Sequence, residues 1–255
     1  KETTSLTKTS NIKQMSEIYR HLDKEEFEDI TSRILYEDNH LLIFNKRSGE
    51  IVQGDKTEDE PLPEKLKAYI AQRDNKPSRV FMGVPHRLDR PVSGIVVLAK
   101  TSKALQRMSE QFRDGDVSKF YWALVEKSPE PVQDEIKSYL LRNEKQNKSY
   151  SYNLPKPGAK EAVLRYRLLE PTKSYFLVEV ELLTGRHHQI RCQLASIGCV
   201  IKGDLKYGER RSNKDGSISL QAHRILFKHP VKNTPLEITA PDFPTFSPRK
   251  DTPHK

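Results

Sequence analysis

Short apolar runs alternate with polar, Pro- and Gly-marked turns along this chain, and the period of the apolar positions changes from one segment to the next. Ile34 to Tyr36 and Leu41 to Phe44 are two such runs separated by Glu-Asp-Asn-His, the pattern of a hairpin. Gly94 to Ala99 is apolar without polar alternation, which predicts a strand buried on both faces. Lys119 to Val125, Ala162 to Leu168 and Phe176 to Leu182 place apolar residues at every second position, as half-buried strands do, and Leu220 to Pro230 reads as a further strand. Helical spacing is found elsewhere. Pro63 to Gln72 has Pro63 in its first turn. Leu105, Met108 and Phe112 share a face behind a Thr101 or Ser102 cap and ahead of Gly115, and Ile190, Leu194 and Ile197 share a face in a helix over 188–197 that Gly198 closes. Many strands with few crossover helices predict an α+β fold.

Residues 1–30 mix Thr, Ser, Lys and Glu with few large apolar residues, and only Ile18 to Phe27 suits a short helix, so this stretch reads as a tail or loosely docked arm. One domain is expected over 31–245, with a C-terminal tail at 246–255. Residues 142–160 hold five Lys or Arg, one acid, Tyr150, Tyr152, Pro155 and Pro157, the composition of a long exposed loop. Aromatics interleaved with cations also suit stacking on bases beside phosphates.

Composition narrows the partners. The 255 residues suffice for a real core, but only 35% are hydrophobic and 31% are charged, so the core is lean and the surface dense with charge. Lys and Arg outnumber Asp and Glu by 44 to 35. Residues 1–30 hold five cations against seven acids, so the excess belongs to the body and favours a polyanionic partner. Cys192 and Cys199 lack a Cys-x-x-Cys companion and read as reduced core thiols. No segment approaches the ~20 apolar residues of a membrane span and no secretion signal opens the chain, so a cytoplasmic protein is expected.

The chemistry concentrates in His86-Arg87-Leu88-Asp89-Arg90-Pro91-Val92-Ser93-Gly94, directly ahead of the buried strand. One carboxylate stands between two arginines on a Pro- and Gly-punctuated loop, an arrangement suited to holding a reactive acid ionised beside a phosphate backbone. Taken alone, charged residues crowded at the mouth of an apolar strand more often form a solvated turn. Spacing alone makes Arg191 an exposed helix arginine and makes Tyr121, in Phe120-Tyr121-Trp122, a core aromatic.

This nonapeptide resembles the catalytic loop of the RluA-type RNA pseudouridine synthases, roughly His-Arg-Leu-Asp, two variable residues, Thr-Ser-Gly, with Val92 where Thr is usual. The resemblance continues in Ile34 to Asp38 with Asn45-Lys46, in Lys119 to Val125, in Leu183 to Arg191, in Gly203-Asp204 with Tyr207-Gly208, and in the strand from Leu220. It covers roughly 34–241 in the family's order. The chain departs from the usual pattern at Arg47, His187, Cys199-Val200 and Gln221.

The resemblance implies a single catalytic domain on a long mixed, mainly antiparallel sheet, acting without cofactor or metal on structured ribosomal or transfer RNA, as a monomer. The small S4 domain that many members carry ahead of it would not fit within 30 residues. It implies Asp89 as nucleophile or charge stabiliser, Arg191 as its bidentate guanidinium partner and Tyr121 as the residue stacked on the target base. Leu220 lines the uracil pocket. Arg87 fills the stack that an extruded uridine vacates. His86 and Arg90 join substrate binding, and Arg186 assists a helix N-terminus in attracting phosphate. A basic rim of Lys46, Arg47, Arg90, Lys202 and Lys206 is expected to meet the RNA backbone. Two alternatives differ in class: an inactive RNA clamp using the same cleft, and a metal-dependent nuclease built on His86, Asp89, His187 and His188. The second lacks a His-x-x-x-His pair or a carboxylate cluster.

Overall fold

The computed structural model describes residues 18–76, 78–172 and 174–242. Among these, ten strands form one sheet. The strands are β1 (Ile34–Glu37), β2 (Leu41–Lys46), β3 (Ser93–Ala99), β4 (Ser118–Val125), β5 (Gln133–Asn143), β6 (Lys148–Tyr152), β7 (Lys160–Pro171), β8 (Phe176–Leu182), β9 (Leu220–Lys228) and β10 (Pro235–Thr239). Their order is β1-β2-β3-β9-β4-β8-β7-β5-β6, and β10 pairs with β9. All pairings are antiparallel except β3 with β9, where Ser93 meets Gln221 and Gly94 meets Ala222. That contact requires glycine at 94. Its φ is +108°, and a Cβ there would lie 2.2 Å from the Ala222 carbonyl oxygen.

Among the described residues four helices flank the sheet: α1 (Lys24–Ser32), α2 (Leu62–Arg73), α3 (Ser102–Asp114) and α4 (Gln189–Ser196). α3 starts where Thr101 Oγ1 accepts from the Ala104 amide and stops at left-handed Gly115. β2 and β3 are buried on both faces, as their continuous apolar sequence predicts. Cys192 and Cys199 are buried free thiols. Among the described residues no helix is long and apolar enough to cross a membrane.

Three segments differ from expectation. Residues 18–32 are docked rather than loose: Leu22 and Ile30 are fully buried, Phe27 packs its ring 4.7 Å from Tyr69, and Gln72 of α2 clasps the Leu22 backbone through its amide. Residues 1–17 of the expected N-terminal tail, the last residues 243–245 of the expected domain and the expected C-terminal tail over 246–255 lie outside the described residues. The expected loop over 142–160 is largely the β5–β6 hairpin, turned at Asn147 with φ 46°. Its inner face is hard to read because serines flank its one buried leucine, Leu140: Ser149 and Ser138 are buried, and Ser151 Oγ donates to Ser138 Oγ at 2.9 Å. Ile197 does not share the buried face of Ile190 and Leu194; it caps α4 and is 41% exposed.

Candidate active site

The loop before β3 presents Asp89 because the residues on either side of it point inward. Leu88 and Val92 are buried, while the Asp89 side chain stays 27% exposed between them. The Val92 amide donates to the Asp89 carbonyl at 3.0 Å and closes a turn, and the Gly49 amide fixes the Arg90 carbonyl at 2.8 Å. Lys46 supplies the strongest constraint. Its buried ammonium donates to the carbonyls of Arg47, Arg90 and Val92 at 2.9, 3.1 and 2.6 Å. Burial pushes this amine down to about 8.

Around Asp89 lies a cavity of about 260 Å³, below the ~300 Å³ at which drug-sized pockets begin and suited to one heterocycle. Tyr121 of β4, Leu182 of β8, Leu220 of β9 and Ile190 and Arg191 of α4 line it, with Arg87, Arg142, Arg186, His187 and His188 nearer its cationic side. Burial, and then the Asp89 charge, raise the Tyr121 phenol above its ordinary value, so its proton stays on at neutral pH.

Arg191 faces Asp89, but not bidentately. Its Nη1 lies 3.5 Å from Asp89 Oδ2, whereas Nε and Nη2 donate to Asp204 Oδ2 and Oδ1 at 2.7 and 2.9 Å. Burial opposes the Arg191 charge, yet the Asp204 hydrogen bonds and the Asp204 and Asp89 charges outweigh it and hold the guanidinium above its ordinary range. His188 occupies the left-handed region with φ 54° and so turns its ring into the site. The Tyr207 hydroxyl accepts from the Ser149 amide at 2.8 Å, which leaves its own proton for His188 Nδ1 at 3.0 Å. His188 Nε2 then carries the ring hydrogen, 3.5 Å from Asp89 Oδ2. Burial and the neighbouring Arg191 charge push this imidazole down to about 2, so it is neutral.

Of the residues singled out in the sequence, the structure brings Asp89, Tyr121, Arg191, Leu220, Arg87 and Arg186 to one cavity. It takes His86 and Arg90 elsewhere. His86 Nε2 accepts from the Val97 amide at 2.8 Å and its ring stacks on Phe112 at 4.3 Å, which pins the loop to β3 and α3. It also turns His86 away from His187 and His188, so the four groups of a nuclease site do not converge. Arg90 pairs with Asp59 and Thr57. The expected basic rim is similarly occupied: Lys46 is buried, Arg47 pairs with Asp29 at 2.6 Å, Lys202 lies over the Tyr175 ring and Lys206 donates to the carbonyls of Gln146 and Asn147. Asp204 and Tyr207 had a signal in the motifs that contain them, though none as to what they do, and Lys46 holds the loop from inside where the sequence suggests a phosphate contact. Arg142 had none, standing in a stretch with linker composition. Among the departures from the family pattern, Val92 and His187 line the cavity, while Gln221 donates to the Pro241 carbonyl and Cys199 is core.

A carboxylate, a buried tyrosine and an anchored guanidinium around a one-ring cavity define a site for polar chemistry on a nucleoside. The family described as RNA pseudouridylate synthase matches residues 40–196, and the chain belongs to that family. The chain is similar to ribosomal large subunit pseudouridine synthase C of Vibrio vulnificus, with 35% identity over 84% of this chain and 66% of the relative. It is also similar to tRNA pseudouridine synthase C of Pectobacterium carotovorum, with 32% identity over 81% of this chain and 58% of the relative. The match to the Vibrio vulnificus relative thus spans about two thirds of that protein's length. The solved structure of human RNA Pseudouridylate Synthase Domain Containing 4 shares the fold, with a TM-score of 0.71 and 23% identity over 84% of this chain and 90% of that one.

Proposed function

We propose that this chain is an isomerase that converts uridine in structured ribosomal or transfer RNA to pseudouridine. The reaction breaks the bond from the ribose carbon to the ring nitrogen and forms one to a ring carbon, with that carbon's proton lost and a nitrogen proton gained. No oxidant is consumed. A nucleoside must leave its stack to enter the cavity, and Arg87, exposed at the mouth with Nη1 on the Gln53 amide oxygen at 3.0 Å, is placed to fill the gap.

In this reading Asp89 acts at the sugar–base junction, as nucleophile or as stabiliser of developing positive charge. Arg191 and neutral His188 orient Asp89 through Oδ2. Tyr121 stacks on the base; with its phenol held protonated by burial it is a poor base. Leu182, Leu220 and Val92 supply the apolar walls that hold a pyrimidine without reading its neighbours. Arg186, its Nε already on the Glu161 carbonyl, contributes charge at the mouth. The observation that carries the reading is the meeting of Asp89, Tyr121, Arg191 and Leu220 around one cavity of nucleobase size.

The test maps pseudouridine in total RNA from cells with and without the protein, and again after complementation with D89N. At least one site is expected to vanish without the protein, return with wild type and stay absent with D89N. An unchanged map refutes the reading. RNA crosslinked to the cavity without any lost modification favours the inactive clamp instead.

A further inference from the structure

The cavity mouth holds a cation that the reaction as described does not use. Strand register places Arg142 opposite Ser149, so its side chain falls on the face of the hairpin that Ser149 turns toward His187. The other lining cations are engaged: Arg87 on Gln53, Arg186 on the Glu161 carbonyl, Arg191 between Asp204 and Asp89. Arg142 is exposed, and among the described residues its guanidinium makes no hydrogen bond or ion pair.

We propose that Arg142, with His187 beside it, forms a phosphate subsite that takes the RNA backbone next to the nucleoside entering the cavity. The proposal rests on the isomerase reading and names a contact that reading lacks. A paired strand fixes the backbone from which Arg142 reaches, and its planar fork matches a phosphodiester. His187 serves the same anion by charge, not by a hydrogen bond. Its Nδ1 lies 2.9 Å from Ser149 Oγ and its Nε2 3.1 Å from Asn147 Oδ1, so both nitrogens face oxygen and the ring is seated to carry two hydrogens. The groups facing it are Arg142 on β5, Asn147 and Ser149 on the hairpin, Arg87 and Asp89 on the loop, His188 at the N-cap of α4 and Arg191 within it. Burial, then the Arg142, Arg191 and Arg87 charges, hold its proton affinity below the ordinary value despite Asp89. A phosphate arriving at Arg142 offsets those charges and lets His187 protonate, adding a second cation to the same anion.

The experiment compares binding of a short oligouridylate with phosphodiester linkages and the same oligomer with uncharged methylphosphonate linkages, for wild type, R142Q and, as a background control, R113Q. Arg113 is exposed at the end of α3 and paired with Asp114. On the charged backbone R142Q is expected to lose about tenfold in affinity and to flatten the salt dependence by about 0.7 in log–log slope. On the uncharged backbone it should bind as wild type does, and R113Q should match wild type on both. In an NMR titration the His187 midpoint is expected to rise when phosphodiester oligouridylate saturates wild type, and less so in R142Q. Equal affinity of R142Q and wild type for the charged oligomer, an R113Q loss as large as that of R142Q, or a His187 midpoint indifferent to the oligomer would overturn the subsite. Pseudouridine formation by the wild-type protein tests the reaction, whereas the dependence on backbone charge tests only the subsite, so the two failures are told apart.

Discussion

Asp204 and Asp89 meet the same guanidinium and are held in opposite ways. Asp204, with a side chain 1% exposed, gives both oxygens to Arg191 at 2.7 and 2.9 Å. Asp89, 27% exposed, meets Arg191 and His188 through Oδ2 alone, each at 3.5 Å, and among the described residues its Oδ1 accepts no hydrogen bond. A carboxylate with both oxygens committed in a buried pair has little left for a substrate. One held at arm's length by a fixed cation keeps its lone pairs and its charge. The better-partnered acid is therefore the structural one, and the poorly partnered acid is the one positioned for chemistry.

Removing the structural acid should have the largest effect on folding. D204N leaves the buried Arg191 charge without its main partner, and unfolding free energy is expected to fall by about 3–5 kcal/mol in denaturant melts, with activity lost alongside. A fall under about 1 kcal/mol would mean that Asp89 alone can balance Arg191, and the contrast between the two acids would disappear.

The loop that carries Asp89 can be loosened by pH without mutation. Above about pH 8 Lys46 gives up its proton and one of its three N–H donors, leaving a loop carbonyl unpaired. Turnover should decline through that pH, and K46M should be slow at every pH with no such decline. The stability sign runs the other way. The amine is at about 8 in the folded chain and near its ordinary value unfolded, so between the two the unfolded chain binds more protons and this group's contribution to stability rises with pH. A turnover decline that coincides with melting would contradict the clamp.

A smaller effect sharpens the second contact to Asp89. Y207F removes the hydroxyl that fixes the His188 tautomer and satisfies the Ser149 amide. It should cost about 1 kcal/mol of stability and, in long-range proton–nitrogen NMR spectra, release His188 from its Nε2–H form. Finding Nδ1–H in the wild-type protein would sink this assignment.

How much of this was legible in the sequence follows from what each residue touches. Strands whose inward positions are apolar announce themselves, β4 and β8 by alternation and β3 by an unbroken apolar run. The β5–β6 hairpin does not, because Ser138, Ser149 and Ser151 share its inner face with the single buried Leu140. The docked arm is missed because two residues, Leu22 and Ile30, carry its burial. Asp89, Tyr121 and Arg191 were reached by resemblance, since spacing alone reads them as turn, core and surface. His86, Arg90 and the rim lysines were misplaced because a motif gives proximity along the chain and not the direction of a side chain. The Asp204 grip needed a long-range pairing that no local pattern carries.

The most direct measurement is single-turnover isomerisation of an RNA modified by this protein, comparing wild type with D89N at equal RNA occupancy. The account predicts that D89N binds the RNA within a few fold, melts at or near the wild-type temperature and forms no detectable pseudouridine. Product formed by D89N at a wild-type rate would contradict it.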